Sequence, residues 1–263
     1  MKTLRCGFAA LALAAAALPA LAGRSCEARL PDAMAVQRGL ELAERTEAAL
    51  RATGARVVVL ARAGQDLSKY RLRWSHMGFA YRESDAPEAP WRVVHKLNDC
   101  GSATADLHRQ GLGEFFLDDP HEFATALAVL TPELQARLLP LLQDNRQVRR
   151  LHQAAYSLVA YPWAQRYQQS NQWAIETLAM AAEPDAGTRD RAQAWLRLKG
   201  YQPTMLRLSP LVRLGARMTS ANVAFDDHPD AQRYSDRIET VTADSVFEWL
   251  ARNGLAQAPF ELR

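Results

Sequence analysis

Cysteine is scarce, with three in 263 residues, at Cys6, Cys26 and Cys100. That scarcity excludes a thiolate metal cluster, which needs several cysteines at short spacing. The six histidines do not make up the shortfall, because they show no paired ligand spacing, and neither a metal nor another cofactor is implied. Long apolar runs are absent beyond Phe8 to Ala22, so nothing later in the chain is long enough to span a bilayer. Basic clusters are absent too. The 32 Lys and Arg nearly balance 29 Asp and Glu, and the arginines are spread along the chain, which argues against a nucleic-acid partner. No Ser/Gly-rich linker and no internal repeat divides the sequence, as expected for one large domain with a proper core.

What is present begins with an export signal. Lys2 and Arg5 precede the apolar stretch FAALALAAAALPALA, and Ala20-Leu21-Ala22 offers the small residues read by a signal peptidase. Cleavage is expected after Ala22, giving a soluble periplasmic protein that touches a membrane peripherally at most. Cys26 stands too far beyond Ala22 for a lipoprotein signal. Export leaves Cys26 and Cys100, and an even count in an oxidising compartment favours a disulfide between them. The competing reading makes Cys100, in NDCGS with His95 nearby, a reactive thiol.

Hydrophobic periodicity predicts a helix over 31–53, stopped by Gly54, then a buried strand over 55–64. Two more strands follow, WSHMGFAYR (Trp74–Arg82) and WRVVHKL (Trp91–Leu97), joined by the polar loop SDAPEAP. Glu122–Leu130 favours a strand. Thr131-Pro132-Glu133 opens a helix containing Pro140. YSLVAY (Tyr156–Tyr161) reads as a strand. YQQSNQW then leads into a helix through Ile175, Leu178, Ala179 and Ala182. The last third holds helical patterns at 188–199, 209–218 and 243–252. Within it, SPLVRLGARM mixes arginines with apolar residues and reads as a packed surface helix in preference to a membrane-surface one.

Three polar side chains sit at ends or edges of these elements. His76 and His95 lie on paired strands, where one face alternates in sequence. Ser170 stands at a helix mouth, where backbone N–H groups and the helix dipole favour a nucleophile and a developing oxyanion. In a catalytic reading Ser170 attacks, His76 takes its proton and His95 holds His76 in one tautomer. In the bland reading Ser170 is a helix cap and the histidines are satisfied core residues. Trp74, Tyr161, Gln169 and Trp173 are the expected substrate-lining residues, with Trp91, Trp163 and Tyr167 close by; core or rim is the alternative for the aromatics. GLGEFFLDDPHEF is expected to loop over the groove, with Asp118 and Asp119 able to cap the element that follows. His108, His121, His152 and His228 need no functional role.

SHMGFAYR followed by WRVVHKL resembles the paired strands of circularly permuted papain-like proteins, the NlpC-type branch with lecithin retinol acyltransferase relatives. There a catalytic His opens a His-hydrophobic-Gly strand, here His76-Met77-Gly78, and a second polar residue lies on the next strand, here His95. The nucleophilic Cys follows at a helix start; Gln169-Ser170-Asn171-Gln172-Trp173 is similar in layout, with Ser170 in the cysteine slot. That likeness runs from about Val57 to Ala182. HKLNDCGSATADL, GLGEFFLDDP and AYPWAQRYQQSNQW also resemble domain-of-unknown-function family 2145, exported bacterial proteins without an established activity.

The resemblance implies an α+β, permuted papain-like fold. The expected organisation is the signal peptide over 1–22, a papain-like domain over 23–187, and, outside the likeness, a helical extension over 188–263 packed on the same domain. It implies hydrolysis or acyl transfer at an amide or ester bond of an envelope peptide or lipid. The departure is Ser for Cys. A thiol ionises readily beside a His, whereas a hydroxyl does not. The rival expectation is therefore a papain-like binding module without turnover.

Overall fold

The computed structural model describes residues 31–263, apart from 87 and 119. The expected signal peptide, its cleavage site, Cys26 and Asp119 lie outside the described residues.

The chain opens with α1 (Ala33–Ala52). The Asp32 carboxylate accepts from Ala35 N–H at 2.7 Å, satisfying a helix-start donor, and Gly54 takes the left-handed φ of 65° that ends the helix run. β1 (Val57–Ala63) follows and is buried along its whole length. An apolar run of this kind belongs at the centre of a sheet covered on both faces.

β2 (His76–Arg82) and β3 (Trp91–Asn98) form the expected hairpin across the polar loop. β4 (Ala105–Gly111), α2 (Leu112–Leu117) and β5 (Glu122–Val129) come next, then α3 (Pro132–Gln143) and the single turn α4 (Asn145–Val148). After a long irregular stretch come α5 (Ser170–Ala182) and α6 (Arg189–Leu198). The tail holds β6 (Thr204–Arg207), α7 (Pro210–Thr219), α8 (Asp230–Arg233), β7 (Arg237–Thr240), α9 (Ala243–Arg252) and β8 (Phe260–Leu262).

The fold is α+β, with an antiparallel sheet ordered β4-β3-β2-β1-β5-β8 between helices. Alternation along the strands sorts side chains to two faces. Val57, Val59, Ala61, Met77 and Phe79 join the core under α3, α5, α6 and α9. Val58, Leu60, Ala80, Trp91 and Val93 join a second core under α1 and α2. The first face is here called the α5 face, the second the α2 face.

Three expectations change. YSLVAY is not a strand: its groups are stitched to irregular backbone, Tyr156 N–H to Ala103 O at 2.8 Å and Leu158 N–H to Asn222 O at 2.8 Å. GLGEFFLDDP is not a loop over a groove. Leu112, Phe115 and Phe116 bury as α2, and its glycine sits where a Cβ would lie 3.1 Å from Leu40 of α1. The C-terminal third is not purely helical. It supplies the hairpin β6–β7, and β8 extends the main sheet by pairing with β5.

Candidate functional site

YQQSNQW is polar because nearly every amide in it has a structural partner. Gln169, not Ser170, caps α5: its Oε1 accepts from Asn171 N–H at 3.0 Å, while its Nε2 donates to Thr240 Oγ1 at 3.2 Å and to Val241 O. Asn171 Oδ1 accepts from Met77 N–H at 3.1 Å, fastening the helix start to β2. Gln168 is wholly buried and donates to Glu176 Oε2 at 2.6 Å and Leu151 O at 2.8 Å.

Lys96 of β3 meets this run from the sheet. Its ammonium donates to Gln153 O, Gln168 O and Gln168 Oε1 at 2.6, 2.8 and 2.9 Å, one acceptor for each proton. Burial pushes its pKa down to about 7, aided by the Arg189 charge and opposed by Glu176. The three acceptors fit the charged form.

Ser170 is the first residue of α5 and almost fully buried. It lies beside the buried phenol of Tyr156, whose pKa burial pushes up. The cap expected of Ser170 is supplied by its neighbour Gln169, and Ser170 lies beside Tyr156 on the α5 face.

The two histidines do come together. His76 Nε2 lies 2.8 Å from His95 Nδ1, and the rings meet edge to face at 5.1 Å. His95 Nε2 in turn lies 2.6 Å from Gln110 Oε1, and Gln110 Nε2 donates to Glu114 Oε1 at 3.0 Å. A carboxylate only accepts, so Glu114 fixes the Gln110 amide with its oxygen toward His95. His95 then carries its proton on Nε2 and accepts from His76 Nε2–H at Nδ1. One exposed carboxylate thus sets the His95 tautomer.

His95 is buried and neutral. Burial, with Arg62 acting in the same direction, brings its pKa down to about 3. Phe115 of α2 walls the pair, with ring centroids 5.1 Å from His95 and 6.0 Å from His76. Arg62 of β1, opposite His76 in register, stacks on Phe115 at 5.0 Å and pairs with Asp118. Gly78 is required here, since a Cβ would come within 2.8 Å of Val94 O and 2.9 Å of His95 Cβ.

The structure does not assemble all three expected residues in one place. On β2, Met77 and Phe79 point to the α5 face, where Phe79 meets Trp173 at 5.6 Å. His76 alternates with them and points to the α2 face with Phe115. On β3, Lys96 points toward the start of α5 and His95 away from it. The sheet lies between the histidine pair and the Ser170 hydroxyl.

The expected lining residues also fall elsewhere. Trp173 is fully buried and Trp74 nearly so, both in the core of the α5 face. Gln169 is the cap, and Tyr161 packs on His228 at 5.3 Å. Trp91 is buried in the α2-face core, and Trp163 stacks on Tyr201 at 6.0 Å with Arg197 over it at 4.5 Å. Cys100 stands exposed in the turn after β3, while both His95 nitrogens are engaged by His76 and Gln110. Arg62, Gln110, Glu114 and Phe115 are the site residues that sequence reasoning missed; only the mixed acids and aromatics of GLGEFFLDDP pointed toward them. No cluster of three or more His, Cys, Asp or Glu suited to a metal occurs among the described residues.

Residues 49–250 match a family described as "Uncharacterized protein conserved in bacteria (DUF2145)". No curated protein and no solved structure matches the chain.

Proposed function

We propose, for a chain that belongs to the DUF2145 family of bacterial proteins, a periplasmic papain-like module that binds an envelope peptide or lipid acyl group at His76 without turnover at Ser170. The NlpC-type relationship rests on the His-hydrophobic-Gly strand, the partnered His95 and the helix that follows in permuted order. Export through residues 1–22 and a Cys26–Cys100 disulfide belong to the same reading.

One observation carries it: the sheet separates Ser170 from the histidine pair. A serine hydroxyl, with its high pKa, reacts only when a base lies within about 2.6–3.2 Å of it. Ser170 is instead buried beside Tyr156 at the start of α5. The histidine pair retains a use of its own. The His76–His95 pair, braced by Gln110 and Glu114 beside the apolar wall of Phe115, is the polar feature around which such a ligand would dock.

The test is calorimetric titration with a synthetic muropeptide and, separately, a soluble N-acyl amino acid, with mass spectrometry of both ligands afterwards. At least one should bind and be recovered intact. His76→Ala should weaken it about tenfold or more, roughly 1.4 kcal/mol, and Ser170→Ala by less than about twofold on the same scale. Cleavage that depends on Ser170, or binding of neither ligand, would overturn the reading.

A further inference from the structure

SPLVRLGARM forms a helix turned inside out. In α7 a row of large apolar residues is exposed: Leu211 is 81 % exposed, Met218 77 % and Leu214 56 %. They recur at the three- and four-residue spacing of a single helix face. The one buried residue is Arg213. Its guanidinium donates to the carbonyls of Gln232, Arg233 and Ser235 and stacks on Phe225 at 4.5 Å. The packed surface helix expected from sequence is thus held by an arginine, with its apolar stripe facing outward.

Exposed arginines flank the stripe in the chain. Arg217 borders it on the helix, and in the adjoining hairpin Arg207 lies directly opposite Arg237, both exposed. Like charges at opposed positions destabilise a hairpin unless something anionic meets them. Asp236 only partly offsets Arg237, at 3.9 Å and exposed. Tyr234, 76 % exposed with Arg233 over its ring at 5.4 Å, adds an amphipathic side chain of the kind that sits at a bilayer interface.

We propose that α7 and the β6–β7 hairpin form a docking surface for an anionic phospholipid bilayer, with Leu211, Leu214 and Met218 entering the acyl boundary and Arg207, Arg217 and Arg237 meeting phosphate. The charge pattern points to this occupant, because arginines beside an exposed apolar stripe complement lipid phosphate above an acyl boundary. Among the described residues no helix is long and apolar enough to cross a membrane, so the contact is peripheral. It is independent of the His76 site.

Flotation of residues 23–263 with vesicles of phosphatidylcholine alone, or with phosphatidylglycerol added, tests it. Binding should be about fivefold or more stronger to the anionic vesicles and released by about 0.5 M salt. Leu211→Ser with Leu214→Ser, and separately Arg207→Glu with Arg217→Glu, should each reduce it about tenfold, with unchanged circular dichroism and melting. No binding, or equal binding to neutral vesicles, would overturn the proposal. So would a dimer in solution that the serine variant converts to monomer, since the stripe would then be covered by a second copy.

Discussion

Glu176→Gln is expected to cost about 3–5 kcal/mol of folding stability, although no atom of Glu176 reaches solvent or the histidine pair. Its two oxygens collect five donors. Gln168 Nε2 and Arg189 Nε reach Oε2 at 2.6 and 2.8 Å, while Gln193 Nε2, Gln172 Nε2 and Arg189 Nη2 reach Oε1 at 2.7, 3.2 and 3.2 Å. The amide would turn an NH₂ toward these donors and leave the buried Arg189 guanidinium without its counter-charge. Breaking one side of such a pair is far more damaging than replacing both. Urea unfolding should therefore show a large loss for Glu176→Gln, and a Glu176→Leu, Arg189→Met double variant should lose less. A loss below about 1 kcal/mol for Glu176→Gln would mean the network is wet and weak. The prediction matters to the site because Gln168 and Gln172 belong to YQQSNQW. That motif's polarity is the polarity of a buried brace.

Acidification should unfold the protein partly through His95. In the unfolded chain this imidazole binds a proton near pH 6.5, whereas in the fold it does so only at about 3, because it is buried and faces Arg62. Between those values the unfolded state holds more protons. The contribution is therefore complete above about pH 6.5 and is lost progressively as pH falls toward 3. Its full size is on the order of 3–5 kcal/mol. Other groups near the ring are Gln110, whose hydrogen bond acts the opposite way, and His108 and Asp118, which act in opposite senses at longer range. Stability measured against pH for wild type and for His95→Gln should diverge across this window, with the wild type falling more steeply. Parallel curves would show that His95 protonates in place.

Much of the architecture was legible locally. The helix stop at Gly54, the Thr131-Pro132 start and the apolar run of β1 are set by short-range chemistry, and the structure carries all three. Elements fixed by distant partners were not. β4 reads ADLHRQG, too polar for a pattern, and exists because β3 offers it an edge. α2 looks like a loop because of its glycines, yet Gly39 and Gly113 are where α1 and α2 close on each other: Cβ atoms there would meet Leu117 at 2.6 Å and Leu40 at 3.1 Å.

The site divides in the same way. Two histidines on neighbouring strands were readable as a pair, since hairpin register follows from the strands themselves. Which face α5 would cover was not readable, because His76 and Met77 differ by one residue and only tertiary packing assigns the face. Tyr156 as the neighbour of Ser170 was equally hidden, because no periodicity links an irregular segment to a helix start.

The central claim is that Ser170 is a structural residue, separated by the sheet from a base it would need. The most direct measurement is exposure of the folded protein to a serine-directed fluorophosphonate, followed by intact mass and peptide mapping. The expected result is no adduct at Ser170. An adduct at Ser170 that disappears in a folded His76→Ala variant would contradict the claim, since it would place base and hydroxyl in one working site.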